Sequence, residues 1–428
     1  MSLLAVGLLL LGLVVIGVPI AVALGATAVI AMITGPGGIA SLPNAALVMF
    51  DGATSFPLIA IPLFILAGSI MNASGISRRL IAFASSLVGF IRGGLSMVTI
   101  CASLFFAEIS GSAVADVAAL GSILIPAMER KGYSRAFATA VTSSSATLAV
   151  IIPPSIPMII YGVMSGSSIV ELFVAGIVPG VLGGGMMMLV AYALARRHDF
   201  PREEAFQAHR VWTSFKDAGW ALLLPGIILG GIFSGWVTAT EGAGLAVVAA
   251  MVIGGLVYRE LDGPQLRRAM IEAGRQTAVV MLLVAASALL GDYLTEVRVP
   301  QRVAEGIMEL TQERWAILLL LNGFFLVIGL FLHSAAAIIL VVPIVMPLVQ
   351  AAGIDPVHFG LIVTLNLGIG QQTPPVASVL VTACSVANAD IWEVSKVNVY
   401  FVAVLVALLL LVTYVPIVPM ALVVLFFR

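Results

Sequence analysis

"ATLAVIIPPSIPMIIYG", residues 146–162, and "NLGIGQQTPPVASVLV", residues 366–381, each place a Pro-Pro pair inside an otherwise apolar stretch. Proline has no backbone N–H and its ring clashes with the preceding turn, so each pair should break a helix in mid-course. Within a bilayer such a break is tolerated only where the freed backbone groups are buried in protein or line a cavity. The two pairs are also in register. The offset that carries Pro153 onto Pro374 carries Pro126 onto Pro347 and Gly132 onto Gly353. Two halves with one broken helix each, at corresponding positions, point to the binding site of a secondary transporter.

Composition agrees with that setting. The chain is 61% hydrophobic and 10% charged, against about 25% charged in soluble domains. Apolar runs long enough to span a membrane recur throughout, without the alternation of barrel strands. A net charge of -1 leaves no electrostatic footprint for nucleic acid. Cys101 and Cys384 both sit in apolar segments and make no disulfide framework. The N-terminal apolar stretch lacks a basic start and runs to about Thr34, so it is expected to be a retained helix.

Spans are expected at about 3–33, 56–75, 136–163, 172–195, 218–234, 238–257, 271–296, 359–388 and 397–427. Between them, 93–128 and 315–350 are apolar stretches interrupted by small and polar residues, which reads as two re-entrant hairpins. The expected fold is an all-α polytopic membrane protein of two inverted repeats, over 1–195 and 218–428. Each repeat carries one hairpin and one broken helix, and a cytoplasmic segment at 196–217 joins them. Placement of Lys and Arg supports the inversion. Arg78, Arg79, Arg92, Arg130, Lys131, Arg135, the central link and Arg259, Arg267 and Arg268 share one side if 93–128 re-enters. The region 218–257 leaves one crossing or two open, because the repeat offset aligns it with the first helix alone.

Three constellations carry candidate chemistry. "FFAEISGSAVADVAALGSILIPAM", residues 105–128, brackets Ser110, Gly111 and Ser112 with Glu108 and Asp116. Small residues permit a tight turn, and intramembrane carboxylates are functional by default. A small-residue helix contact is the structural alternative. Around Pro153 and Pro154, the hydroxyls of Thr142, Ser143, Ser144, Ser145 and Thr147 and unwound carbonyls are suitable ligands for a hard cation such as sodium. The start of the following half-helix suits a carboxylate. A plain proline kink is the alternative there. In the second half, Gly368 and Gly370 precede Gln371, Gln372, Thr373, Pro374 and Pro375, while His333 and Ser334 fall at the second re-entrant stretch's turn, where Ser112 and its neighbours sit in the first half. Thr240 reads as an N-cap with Glu241 beside it.

These stretches resemble the large membrane subunit of tripartite ATP-independent periplasmic (TRAP) transporters. Matching blocks include "PLFILAGSIM", "SGSAVADVAALGSILIPAM", "GYSRAFATAVTSSSATLAVIIPPSIPMIIYGV", "LFVAGIVPG", "GWVTATEGAG" and "GIDPVHFG" with "GIGQQTPPV", in the family's order over nearly the whole chain. The resemblance implies an elevator-type importer of organic acids in the bacterial inner membrane, with sodium as coupling ion and no cofactor. A periplasmic substrate-binding protein and a small four-helix membrane subunit are the implied partners.

By the resemblance, Ser110, Gly111 and Ser112 match the first hairpin tip and Pro153-Pro154 the first break, while Gly370, Thr373 and Pro374-Pro375 match the second. With the residue reading, the expected cation ligands are Ser110, Gly111, Ser112, Thr147, Pro153, Gly368, Gly370, Thr373 and Pro374. The expected substrate contacts are Ser112, Ser145, Pro154, His333, Ser334, Gln372 and Pro375. Two positions depart from the family pattern: His333 stands where an aspartate is expected, and Ala377 where glycine is common.

Two rival readings are a single-chain carboxylate symporter of related architecture and an intramembrane enzyme using Ser112 or His333. Against the second, the chain has neither a Gly-x-Ser-x-Gly elbow nor a His-Glu-x-x-His site.

Overall fold

A computed structural model describes residues 3–35, 38–200, 206–374 and 376–428, with the side chains of Leu3, Leu4, Val15, Glu108, Ile109 and Ser110 outside the description. Regular structure among the described residues is helical. The first half contains α1 (Leu3–Val15), α2 (Ile20–Thr34), α3 (Leu42–Ala53), α4 (Ala60–Ala73), α5 (Ile76–Val88), α6 (Gly94–Ser110), α7 (Ala113–Arg130), α8 (Arg135–Ala146), α9 (Ile156–Ser165) and α10 (Ile169–Arg197). The second contains α11 (Ala208–Phe233), α12 (Ala239–Val252), α13 (Gly263–Glu296), α14 (Val299–Leu310), α15 (Arg314–Phe331), α16 (Ser334–Ala351), α17 (Pro356–Gly370), α18 (Ser378–Ala387), α19 (Ile391–Tyr414) and α20 (Ile417–Phe427).

The N-terminal stretch expected as one helix is two. Gly17 sits at φ 85 and Pro19 follows, so the chain turns between α1 and α2. That break answers the question left at 218–257, which also forms two helices, α11 and α12. Under the Pro153-to-Pro374 offset α2 falls on α12, and α1 falls on the last turns of α11 and the turn after it. Conversely, α3 and α4 correspond to the single long α13. The C-terminal stretch expected as one span divides at Pro416 into α19 and α20. The N-cap of α12 is Thr238 and not Thr240. Thr238 Oγ1 accepts the Glu241 N–H at 3.2 Å, and Glu241 Oε2 accepts the Thr238 N–H at 2.8 Å. Only a residue three before the glutamate can close such a reciprocal box. Thr240 instead donates to the Phe56 carbonyl at 3.4 Å.

Helices α6 and α7 pack along each other as one hairpin. Helices α15 and α16, joined through Leu332 and His333, are its counterpart, but these arms make little contact with each other, α15 lying on α17 and α16 on α13 and α14. Pro126 and Pro347 each lie inside the outgoing arm. The two interrupted helices are α8 with α9, and α17 with α18. Helix α8 packs on α18 and α17 on α9, so the interrupted helices run antiparallel, as an inverted repeat requires. Each second half-helix also packs on the other repeat's hairpin: α9 on α16, and α18 on α7. Around this centre, α2, α3 and α4 pack on α13, α12 on α4, and α5 on α11. Eight helices are long and apolar enough to cross a membrane among the described residues.

Candidate functional site

Each Pro-Pro break is met by a hairpin tip. At the first, Gly111 sits at φ 57, a left-handed conformation that glycine adopts without strain. A Cβ on Gly111 would lie 2.7 Å from the Pro154 carbonyl oxygen, so the tip approaches the break backbone to backbone. The Gly111 carbonyl accepts the Ile156 N–H at 3.4 Å. Ser112 caps α7, its Oγ accepting the Ala115 N–H at 3.5 Å, and the residue is half-buried. Ser155, which the sequence reading passed over, restarts the helix. Its Oγ accepts the Met158 N–H at 3.4 Å and donates to the Val150 carbonyl at 2.7 Å. A serine directly after Pro-Pro and before an apolar run is an N-cap signal that could have found it.

At the second break Gly370 approaches Gly329 of α15. A Cβ on Gly370 would stand 2.4 Å from the Gly329 carbonyl carbon, and one on Gly368 2.9 Å from Cγ2 of both Thr147 and Val150. Thr373 and Pro374 are half-buried, and Thr373 Oγ1 donates to the Ile369 carbonyl at 3.3 Å. Pro375 lies outside the described residues, as do the side chains of Ser110 and Glu108. His333 is the exposed N-cap residue of α16 and Ser334 beside it is buried.

Gln372 is 1% exposed and its amide is fully engaged. Its Oε1 accepts from Ser143 Oγ at 2.8 Å and from Asn398 Nδ2 at 3.2 Å. Its Nε2 donates to the Ser143 carbonyl at 2.8 Å and to Thr147 Oγ1 at 2.6 Å. Ser144 Oγ in turn donates to Asn398 Oδ1 at 2.6 Å, and the Ser145 and Ser103 hydroxyls pair at 2.8 Å. Ser143, Ser144, Ser145 and Thr147 are therefore knitted into a buried web between α8, α6, α19 and the second break. Asn398, a lone asparagine in an apolar run, was also missed; an amide in such a run is itself a sign of an interhelical bond.

The nominated residues thus divide by exposure. Ser112, His333, Thr373 and Pro374 retain accessible surface, while Thr147, Ser145, Gln372, Ser334, Pro153 and Pro154 are buried behind them. Asp116 is buried on α7. Helices α7, α9, α16 and α18 all begin at these tips and breaks, so several positive helix ends meet the same region. Among the described residues no group of three His, Cys, Asp or Glu could hold a metal ion. Among the described residues the region offers hydroxyl, backbone-carbonyl and side-chain amide oxygens, with the Asp116 carboxylate buried on α7.

A family model described as "Tripartite ATP-independent periplasmic transporter, DctM component" matches residues 7–418. The isethionate TRAP transporter permease protein DctMQ of Oleidesulfovibrio alaskensis is 41% identical over 95% of this chain, which spans 64% of that relative's length. The C4-dicarboxylate TRAP transporter large permease protein DctM of Pseudomonas aeruginosa is 38% identical over 89% of this chain and 90% of its own. The sialic acid TRAP transporter permease protein SiaT of Haemophilus influenzae is 38% identical over 85% of this chain and 59% of its own. In fold, the crystal structure of the Alcanivorax borkumensis YdaH transporter aligns with a TM-score of 0.62 at 15% identity, covering 95% of this chain and 97% of that one. Matched over nearly its whole length, with both hairpins and both breaks in place, the chain belongs to the DctM component family of tripartite ATP-independent periplasmic transporters.

Proposed function

We propose that this chain is the large transport subunit of an importer that couples sodium entry to uptake of an organic acid across a bacterial inner membrane. It would work with a small four-helix membrane subunit and a periplasmic substrate-binding protein. The observation that supports this most is the meeting of a hairpin tip with a Pro-Pro break in each antiparallel half, Gly111 at 154–156 and Ser334 at Gln371. Backbone carbonyls freed from their helices, with hydroxyls such as those of Ser112 and Thr373, are the hard, uncharged oxygens that suit an alkali cation. The helix starts at Ser112 and His333 suit the substrate's carboxylate or other anionic group. The relatives' names, for isethionate, C4-dicarboxylates and sialic acid, are all those of organic acids.

In this reading sodium orders the tips, the acid binds between them, and the hairpin-bearing body moves against the helices around α13. The test begins with mass spectrometry of what co-purifies with the tagged chain from its native membrane. A stoichiometric small membrane protein is expected. The recovered complex, reconstituted in proteoliposomes with its binding protein, should take up at least one radiolabelled acid from a panel of isethionate, succinate and sialic acid. Uptake should require an inward sodium gradient and be lost in Ser112→Ala and Thr373→Ala. Uptake indifferent to sodium and to both substitutions would overturn the coupling.

A further inference from the structure

Each hairpin tip is hydrogen-bonded to its break. In the first half the link is main chain to main chain, Ile156 N–H to the Gly111 carbonyl. In the second half a side chain makes the hydrogen-bonded link at the start of the outgoing arm. Gln371 follows α17 directly, is 3% exposed, and donates from Nε2 to Ser334 Oγ, the first residue of α16. The same amide reaches both sides of the break. Nε2 also faces the Leu367 carbonyl at 3.3 Å, and Oε1 accepts from Ser378 Oγ at 3.2 Å. The Gln371 main-chain carbonyl takes the N–H groups of Val379 and Leu380 at 3.3 and 3.4 Å, which the start of α18 would otherwise leave unbonded. On the incoming arm Gly329 is pressed on Gly370. The tip is thus pinned at Gly329 and at Ser334, with half-buried Leu332 and exposed His333 between the two pins.

We propose that Gln371 is a positioning residue: a single amide that sets the second hairpin tip, and the His333 side chain it presents, relative to the gap in the second interrupted helix. A side-chain link of this kind can be removed by substitution, which makes its role testable. The consequence for transport rests on the function proposed above; the positioning itself does not. Gln371 itself has almost no exposed surface with which to contact substrate, so it acts through Ser334 and the tip.

The test is hydrogen–deuterium exchange of the purified full chain in lipid nanodiscs, without substrate or partner. In Gln371→Ala, amides in peptides covering 332–342 are expected to exchange about five- to tenfold faster, the change that losing one buried hydrogen bond implies. Peptides covering 109–119 at the first tip should stay as in the parent, which a general loss of stability would not allow. Ser334→Ala removes only the acceptor, is the milder change should Gln371→Ala fail to fold, and should give the same local rise. The double substitution should exchange no faster at 332–342 than Gln371→Ala alone, because the bond that Ser334→Ala removes is already lost with the glutamine. Exchange at 332–342 unchanged in Ser334→Ala, or equal acceleration at both tips, would overturn the proposal. Failure of sodium coupling in the uptake assay would leave this result untouched.

Discussion

Gln372 grips Ser143 at both of its polar groups, with Ser143 Oγ 2.8 Å from Oε1 and the Ser143 carbonyl 2.8 Å from Nε2. This pair of hydrogen bonds joins the second break to the first interrupted helix at a point where both are buried. It ties α8 to the turn after α17, and it gives a structural role to a glutamine at a position the sequence alone marks as a substrate contact.

Gln372→Ala should therefore destabilise the protein by about 2–4 kcal/mol, since it leaves the Ser143 carbonyl with the longer bond from Thr147 Oγ1 at 3.4 Å and removes partners of Ser143 Oγ, Thr147 and Asn398 at a buried site. Chemical denaturation in detergent checks this. A loss below about 0.5 kcal/mol, the range of ordinary surface changes, would show that the web relaxes around the gap.

Gly370→Ala places a methyl where the Gly329 carbonyl carbon stands 2.4 Å away, against backbone that no rotamer can move aside. Uptake in the reconstituted complex should drop by at least about tenfold, because α15 must shift relative to α17 by a substantial part of an ångström. Gly323→Ala on α15, which meets nothing within 4 Å, should be tolerated and should stabilise its helix by up to about 1 kcal/mol.

Ala377 holds φ 44 and ψ 53 at the start of α18, a left-handed conformation that costs an L-residue about 1–2 kcal/mol. Ala377→Gly should raise the unfolding midpoint, or leave it unchanged once the extra freedom of glycine in the unfolded chain is subtracted. A clear fall, of the size usual for Ala-to-Gly within a helix, would count against the strained backbone.

Acid should loosen the anchor of α5. Hydrogen bonding from Arg79, 2.8 Å away, followed by charge attraction from Arg79 and Arg78, holds the Glu260 carboxyl below the usual carboxylate range. A depressed folded-state pKa stabilises above the unfolded value, about 4.3, and that contribution is lost as pH falls through the folded-state value. The site is partly exposed, so the effect should stay under about 1 kcal/mol and weaken in high salt. Thermal midpoints of the parent and Glu260→Gln should differ at pH 7 and converge by about pH 3. A gap that persists at low pH would place the effect elsewhere.

Much of the architecture was legible because its causes are local. A Pro-Pro pair breaks a helix whatever surrounds it, and small residues permit a turn within a few positions, so Pro153, Pro374 and the stretch at Gly111 mark their structures directly. The turn at Gly17 to Pro19 escaped notice since apolar residues continue on both sides of it. Hydropathy records what surrounds a segment, not whether the segment is straight. The cap at Thr238 was misplaced by two residues for a related reason: several threonines sit near Glu241, and only the reciprocal geometry selects one.

The sequence by itself determined that this is a helical membrane protein of two related halves, with a break and a hairpin in each, because periodicity, proline chemistry and the repeat offset are properties of neighbouring residues. Which of the polar residues face open space and which hold the halves together was decided only by the tertiary structure. Gln372 and Ser143 lie 229 residues apart, as remote in the chain as a ligand contact would be from its partner. A hydroxyl or amide in an apolar segment must be satisfied somewhere, but its composition and spacing are the same whether the partner is an ion, a substrate or another helix.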